Sequence, residues 1–190
     1  MPRGLFVTPP PRRCSSRTAP PDPGANPRRG CHTRPVATSA GLIVFRDREG
    51  VLEVLLCHMG GPYWARKDEG AWSIPKGELE DDEQPLAAAR REFQEELGHA
   101  PPDGPLLELG EIRQKAGKVV VAYAVKGDFD PAQLVPGTFE LEWPPRSGRR
   151  QAFPEVDRVA WFDLATAKRR IVRGQAALLD RLADQRPASR

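Results

Sequence analysis

Residues 84–97 constrain the fold of this chain more than any other stretch. They predict a helix of about four turns. Pro85 suits a first turn, where a missing N–H is no loss. Asp82 stands where a helix N-cap would be, and Gly98 where the left-handed residue that ends a helix is expected. Leu86, Ala89, Phe93 and Leu97 recur at helical spacing, so one face must be buried. Glu92, Glu95 and Glu96 follow i, i+3, i+4, and at about 100° per residue they point to nearly one side, away from that face. Such a helix needs an apolar layer beneath it. It also needs something to offset three like charges, since each like pair at this spacing costs a few tenths of a kcal/mol.

The layer is supplied by strands. The run 40–45 (Ala-Gly-Leu-Ile-Val-Phe) predicts a strand over 37–46, a turn at 47–50 and a second hairpin arm at 51–57. A long loop spans 60–70, and Pro75 stops a short extended piece at 71–74. Further strands are predicted at 106–112, 119–125 and 159–162, and helices at 164–173 and 175–182. Strands interleaved with helices in this order imply a mixed sheet with helices on its faces, an α/β (α+β) class.

Residues 1–36 are different in kind. They hold nine of the 21 prolines, seven Arg and one Asp, a net charge of +6 against +3 for the whole chain. The remaining residues therefore carry −3, so the basic character belongs to the segment and not to the domain. Such a composition buries too little apolar surface to offset ordering entropy, and disorder is expected there. No run approaches the roughly 18 apolar residues of a membrane span, and the N-terminus lacks the apolar core of a secretory signal. Cys14, Cys31 and Cys57 are too few and too scattered for a disulfide framework or a zinc site. The expected setting is a reducing, cytoplasmic one.

Residues 77–98 contain eight carboxylates. Grouped carboxylates raise each other's pKa, and a hard divalent cation relieves them; oxygen ligands suit Mg²⁺ or Mn²⁺ rather than Zn²⁺. The helix alone favours a solvated acidic face. Its flanks decide between the two. Gly77, Glu83, Arg91, Glu92, Glu95, Glu96 and Gly98, with Phe93 in the bulky apolar slot, resemble the box G-x5-E-x7-R-E-U-x-E-E-x-G-U of the Nudix hydrolase (MutT-like) superfamily at every fixed position. His99 departs from the usual apolar last residue, a change that bears on packing more than on chemistry. Trp72-Ser73-Ile74-Pro75-Lys76-Gly77-Glu78 is similar to the W-x-x-P-K-G-E lead-in of the dinucleoside-polyphosphate and diphosphoinositol branches.

The resemblance implies a Nudix-like α/β/α sandwich over residues 37–190, built around a loop-helix that carries the box. It implies that Glu92, Glu95 and Glu96 hold Mg²⁺, with Mn²⁺ as the alternative, and that Arg91 fixes the loop and the glutamates by ion pairing. Glu83 either joins that scaffold or is a plain helix-N-terminal acid. Lys76, Arg66 and Lys67 are candidate phosphate contacts, with surface cations as the other reading. Tyr63, Trp64 and Trp143 either stack on a base or pack; Trp72 is assigned to the core. Water must also be activated, and related enzymes recruit a glutamate outside the box. Glu155, just before the last strand, is the first candidate, with Glu140 and Glu142 as rivals. Arg146, Arg149 and Arg150 either meet a distal phosphate or form a solvated loop.

The expected activity is a Mg²⁺-dependent pyrophosphohydrolase acting on a nucleoside diphosphate linked to another group, with dinucleoside polyphosphates and nucleoside triphosphates foremost. The rivals are a non-catalytic Nudix-fold binding or regulatory module and an RNA 5′-end pyrophosphohydrolase. The intact box argues against the first, and the negative domain against the second. The expected partner is a small nucleotide or polyphosphate rather than a nucleic acid or a membrane, and nothing in the pattern specifies an oligomer. Deleting residues 1–35 is expected to leave both the melting temperature and turnover of a small nucleotide nearly unchanged. A large drop in either shows that the segment docks on the domain.

Overall fold

The computed structural model describes residues 37–114 and 117–186. The N-terminal segment expected to be disordered, residues 1–36, lies outside them. In chain order the strands are β1 (Thr38–Arg48), β2 (Val51–Met59), β3 (Trp72–Ser73) and β4 (Lys76–Glu78), followed by helix α1 (Pro85–Leu97). Then come β5 (Leu106–Arg113), β6 (Val119–Lys126), β7 (Thr138–Glu142), β8 (Arg150–Pro154) and β9 (Val156–Asp163), and helices α2 (Leu164–Arg170) and α3 (Ala176–Gln185).

The main sheet runs β3-β2-β1-β6-β5, with β4 on β1 and β9 on β2. β1 pairs parallel with β6, Thr38 opposite Val119 through Phe45 opposite Lys126, while its pairings with β2 and β4 are antiparallel. β1 is buried on both faces, which explains its unbroken apolar run. Ile43 and Phe45 pack with Ala167, Leu178, Leu179 and Leu182 on the α2–α3 side. Their alternates Ala40, Leu42 and Val44 pack with Ala88, Ala89, Phe93 and Leu97 of α1. The result is the expected sandwich of helix, mixed sheet and helix.

Several expectations shift locally. Asp82 is not the cap of α1: it adopts φ 61° in the preceding turn, and Gln84 takes the cap position with no side-chain hydrogen bond. Ala88 is fully buried on the inner face, whereas Leu86 is only half-buried. Gly98 ends the helix in the left-handed region, φ 81°, where a side chain would be strained and a Cβ would crowd Val135. The helix predicted at 164–173 stops at Arg170 because Ile171 turns extended and bridges Trp72, and Val172 N–H donates to the Trp72 carbonyl at 2.7 Å. A 3-10 turn (Arg173–Gln175) then precedes α3. The stretch expected to be loop between β6 and β9 contains the separate β7–β8 hairpin, Thr138 opposite Pro154 through Glu142 opposite Arg150.

Gln175 ties the C-terminal helices to the strand that leads into the box. It is fully buried, its Oε1 accepts from Ile74 N–H at 3.1 Å, and its Nε2 donates to Ser73 Oγ at 3.1 Å. Gln175→Ala should lower stability by about 1–3 kcal/mol by leaving these buried groups unpaired, read as a fall in the urea midpoint. An unchanged midpoint would show that water replaces the amide.

Candidate active site

Arg91 organises the box. A guanidinium has five N–H donors, and here each has an acceptor. Nε and Nη2 form a fork on Glu83 at 2.9 and 2.8 Å, and Nη2 also reaches the Glu78 carbonyl at 3.1 Å. Nη1 donates to Glu92 at 2.8 Å and to Glu95 at 3.1 Å. The fork holds the Glu83 carboxyl down to about 2, helped by the Glu80 N–H, and the carboxylates push the Arg91 pKa up. Of the two readings of Glu83, the scaffold is the one the geometry supports.

Glu92 is mostly buried and lies flat against Gly77. A Cβ built on Gly77 would overlap the Glu92 carboxylate, so the glycine is required by close approach and not by its backbone angles. Glu95 is 57% exposed and turned onto Arg91. Glu96 does not face solvent with Glu95. It turns toward the sheet, where its Oε1 accepts from Lys76 N–H at 3.3 Å. Burial, reinforced by the Glu92 and Glu155 charges, pushes the Glu96 carboxyl up to about 7 against the pull of Lys76.

Glu96 and Glu155 share a cavity of about 120 Å³, lined also by Cys57, Met59, Ser73, Ile74, Lys76 and Val156. That is room for several waters. Backbone bonds fix Glu155 on both sides: its N–H donates to the Gly137 carbonyl at 2.9 Å, and its carbonyl accepts from Gly60 N–H at 2.8 Å. A larger, open depression of about 460 Å³, lined by residues such as His99, Phe129 and Gln133, contains none of the box glutamates.

The expected gathering of Glu92, Glu95 and Glu96 is not seen: among the described residues no three carboxylates, histidines or cysteines are grouped to hold a metal ion. Arg91 Nη1 holds Glu92 and Glu95 as its ion-pair partners, while Glu96 turns away from them toward Lys76 N–H. The donors still suit a hard divalent cation in kind. They are oxygens only, and Glu96 is a buried acid repelled by like charges. Cys57, the thiol on the same cavity, is pushed well up by burial and stays protonated, so the site offers no soft thiolate.

Lys76 lines the cavity, but Arg66 and Lys67 do not. Arg66 is exposed on the 60–70 loop, and the Lys67 ammonium sits over the Trp64 ring, 4.7 Å from its centre. Glu140 pairs with Arg150 at 3.1 Å and Glu142 accepts from Gly148 N–H at 2.9 Å, so both belong to the hairpin. Trp72 is core, as expected, and Trp64 is partly buried against it. Tyr63, 54% exposed, meets Trp143 edge-on with ring centres 5.2 Å apart. Neither β7–β8 nor the shared Glu96–Glu155 cavity was anticipated. The alternation Phe139/Leu141 and the pair Ala152/Phe153 were the available signals for the hairpin.

A family model, NUDIX domain, matches residues 35–182. Among solved structures, the NUDIX domain of Shewanella oneidensis NrtR complexed with ADP ribose is 18% identical, with a TM-score of 0.54 over 79% of this chain and 88% of that one. A Caenorhabditis elegans Ap4A hydrolase binary complex is 22% identical, with a TM-score of 0.53 over 78% and 96%. The C-terminal domain of mouse MUTYH, complexed with human PCNA, is 20% identical, with a TM-score of 0.51 over 80% and 90%. No curated protein sequence matches significantly. The chain belongs to the NUDIX family. Within it, the complete Arg91-Glu92…Glu95-Glu96 box marks a Nudix hydrolase.

The raised Glu96 pKa carries a sign. The folded metal-free protein holds a proton on Glu96 up to about pH 7, whereas an unfolded glutamic acid releases it near pH 4.3. Stability from this group is thus full below that lower value and is lost as pH rises through about 7, by an amount of the order of 3 kcal/mol. With chelator present, Glu96→Gln should lie closest to wild type at pH 4 and exceed it increasingly up to pH 8 in thermal unfolding. A gap that fails to open with pH overturns the burial of this acid.

Proposed function

We propose that the chain is a Mg²⁺- or Mn²⁺-dependent pyrophosphohydrolase that cleaves a phosphoanhydride of a nucleoside diphosphate linked to another group, a dinucleoside polyphosphate or a nucleoside triphosphate foremost, in a reducing, cytoplasmic setting. The observation that carries this reading is the convergence of Glu96 and Glu155 on one cavity beside Lys76. The W-x-x-P-K-G-E lead-in and the fold shared with an Ap4A hydrolase favour the dinucleoside class.

Glu92, Glu95 and Glu96 would hold the cation, which when bound supplies Lewis acidity toward a phosphoryl oxygen and offsets its charge. The rest falls to side chains of this chain. The Lys76 ammonium attracts the polyphosphate and holds it against the cavity mouth. Glu155 orients a water and takes its proton as the water oxygen bonds to phosphorus. The bridging P–O bond breaks, and the phosphate or nucleotide leaves with that electron pair. Arg91 touches no substrate; it keeps Glu92 and Glu95 in place.

The fold shared with the NrtR domain favours a second reading, a nucleotide-binding regulator without turnover. A substrate panel with Mg²⁺ or Mn²⁺, with products identified in ¹⁸O-water, separates the two: turnover supports the hydrolase and binding alone the regulator. Glu155→Gln is expected to lower kcat by about 10²–10⁴-fold with little change in KM. Glu96→Gln should lose roughly 10²-fold or more. Glu140→Gln and Glu142→Gln should be silent. Damage at either control with a silent Glu155→Gln moves the base to the hairpin.

A further inference from the structure

His58 is fully buried on β2, yet both of its ring nitrogens face acceptors. Nδ1 lies 2.7 Å from Asp157 Oδ1, and Nε2 lies 2.8 Å from the Lys67 carbonyl. A neutral imidazole has a single N–H. It can donate to one of these and must turn a lone pair on the other. Only the doubly protonated ring satisfies both.

The place of this contact gives it a consequence. The β2–β9 register pairs His58 with Arg158 and Met59 with Val156, so Asp157 is an extra, bulged residue. The bulge changes which face of the sheet the chain addresses. Val159 and Trp161 belong to the α1 side, Ala160 and Phe162 to the α2–α3 side. Strict alternation would send Val156 to the α2–α3 side, but it packs on the α1 side. The bulge therefore turns the start of β9, with Glu155 just before it, toward the cavity shared with Glu96.

His58 itself lies on the opposite face, against Trp72, with ring centres 5.1 Å apart. Its neighbour Cys57 lines the cavity and His58 does not. The charged groups around it are Asp157 and Asp68 on one side of the balance and Arg158 and Arg170 on the other. Asp68 accepts from Trp72 Nε1 at 2.9 Å and pairs with Arg170, and both guanidiniums lie over the Trp72 ring. Through the Lys67 carbonyl the same histidine anchors the 60–70 loop.

We propose that His58, as an imidazolium donating from both nitrogens, locks the Asp157 bulge and so sets the direction in which Glu155 enters the cavity. It is a positioning residue, and the proposal rests on Glu155 serving the reaction. Substitution at Asp157 tests it in a way that separates charge from shape. In Asp157→Asn the amide can donate to Nδ1, so a neutral ring protonated at Nε2 satisfies both contacts. In Asp157→Ala the side-chain contact to His58 is gone, and only the flanking β2–β9 pairs and the backbone bonds of Glu155 remain.

The experiment records ¹⁵N spectra of the histidine rings of the full chain at pH 7, with His58 assigned from the spectrum of His58→Gln, beside steady-state kinetics with Mg²⁺. Wild type should give the imidazolium pattern at His58 and Asp157→Asn the neutral Nε2–H pattern. Asp157→Ala should lose about 10- to 100-fold in kcat with KM nearly unchanged, the cost of a misplaced catalytic group, and Asp157→Asn should recover most of it. A neutral His58 in wild type overturns the proposal whether or not the variants fold well. So does full kcat in Asp157→Ala when Glu155→Gln is damaging. A silent Glu155→Gln instead overturns the reading of Glu155, and the positioning role with it.

Discussion

The Arg91 guanidinium has no donor left over, and the geometry of the box follows from that. Its fork on Glu83 closes the turn ahead of α1, its bond to the Glu78 carbonyl holds the end of β4, and its remaining nitrogen aligns Glu92 and Glu95. One side chain thus joins the loop before the helix to the helix itself. Lysine could not replace it, since an ammonium offers three donors from one point and no planar fork. With Arg91 fixed, Glu92 can lie on Gly77 only because that residue has no side chain.

Glu96 stands outside this network and differs for that reason. It has no arginine, so burial governs it, and its carboxyl holds its proton to about pH 7 while the Glu83 carboxyl, just ahead of the same helix, is held down to about 2. Two acids of one motif are set apart by what surrounds them. That separation gives the site a structural carboxylate and one able to change charge near neutrality.

The parts legible in the sequence were those with a strong local period or a dense motif. The apolar face of α1, the run that became β1 and the glycine that ends the helix are all local signals, and the box residues could be named one by one. The direction of Glu96 was not legible, because helical spacing places it beside Glu92 and Glu95 while only the position of Lys76 and the sheet reveals that it is enclosed. Nearness in sequence to the box did not tell Lys76, which lines the cavity, from Arg66 and Lys67, which do not. β7 and β8 are short and half-exposed, and their turn is rich in Pro and Gly, so their pairing is a tertiary fact. The bulge at Asp157 is invisible without its partner strand, since a bulge is defined by register.

Gln175 and β9 also bear on the order in which the protein can assemble on the ribosome. The strand that leads into Gly77 is held by a side chain about a hundred residues further along, and the edge of β2 is covered only by residues from 156 onward. A nascent chain that has exposed the whole box still lacks the amide that satisfies Ile74 and the segment that presents Glu155. That enclosure is thus completed late in synthesis, and a chain that stopped before Glu155 would carry every glutamate of the box without it.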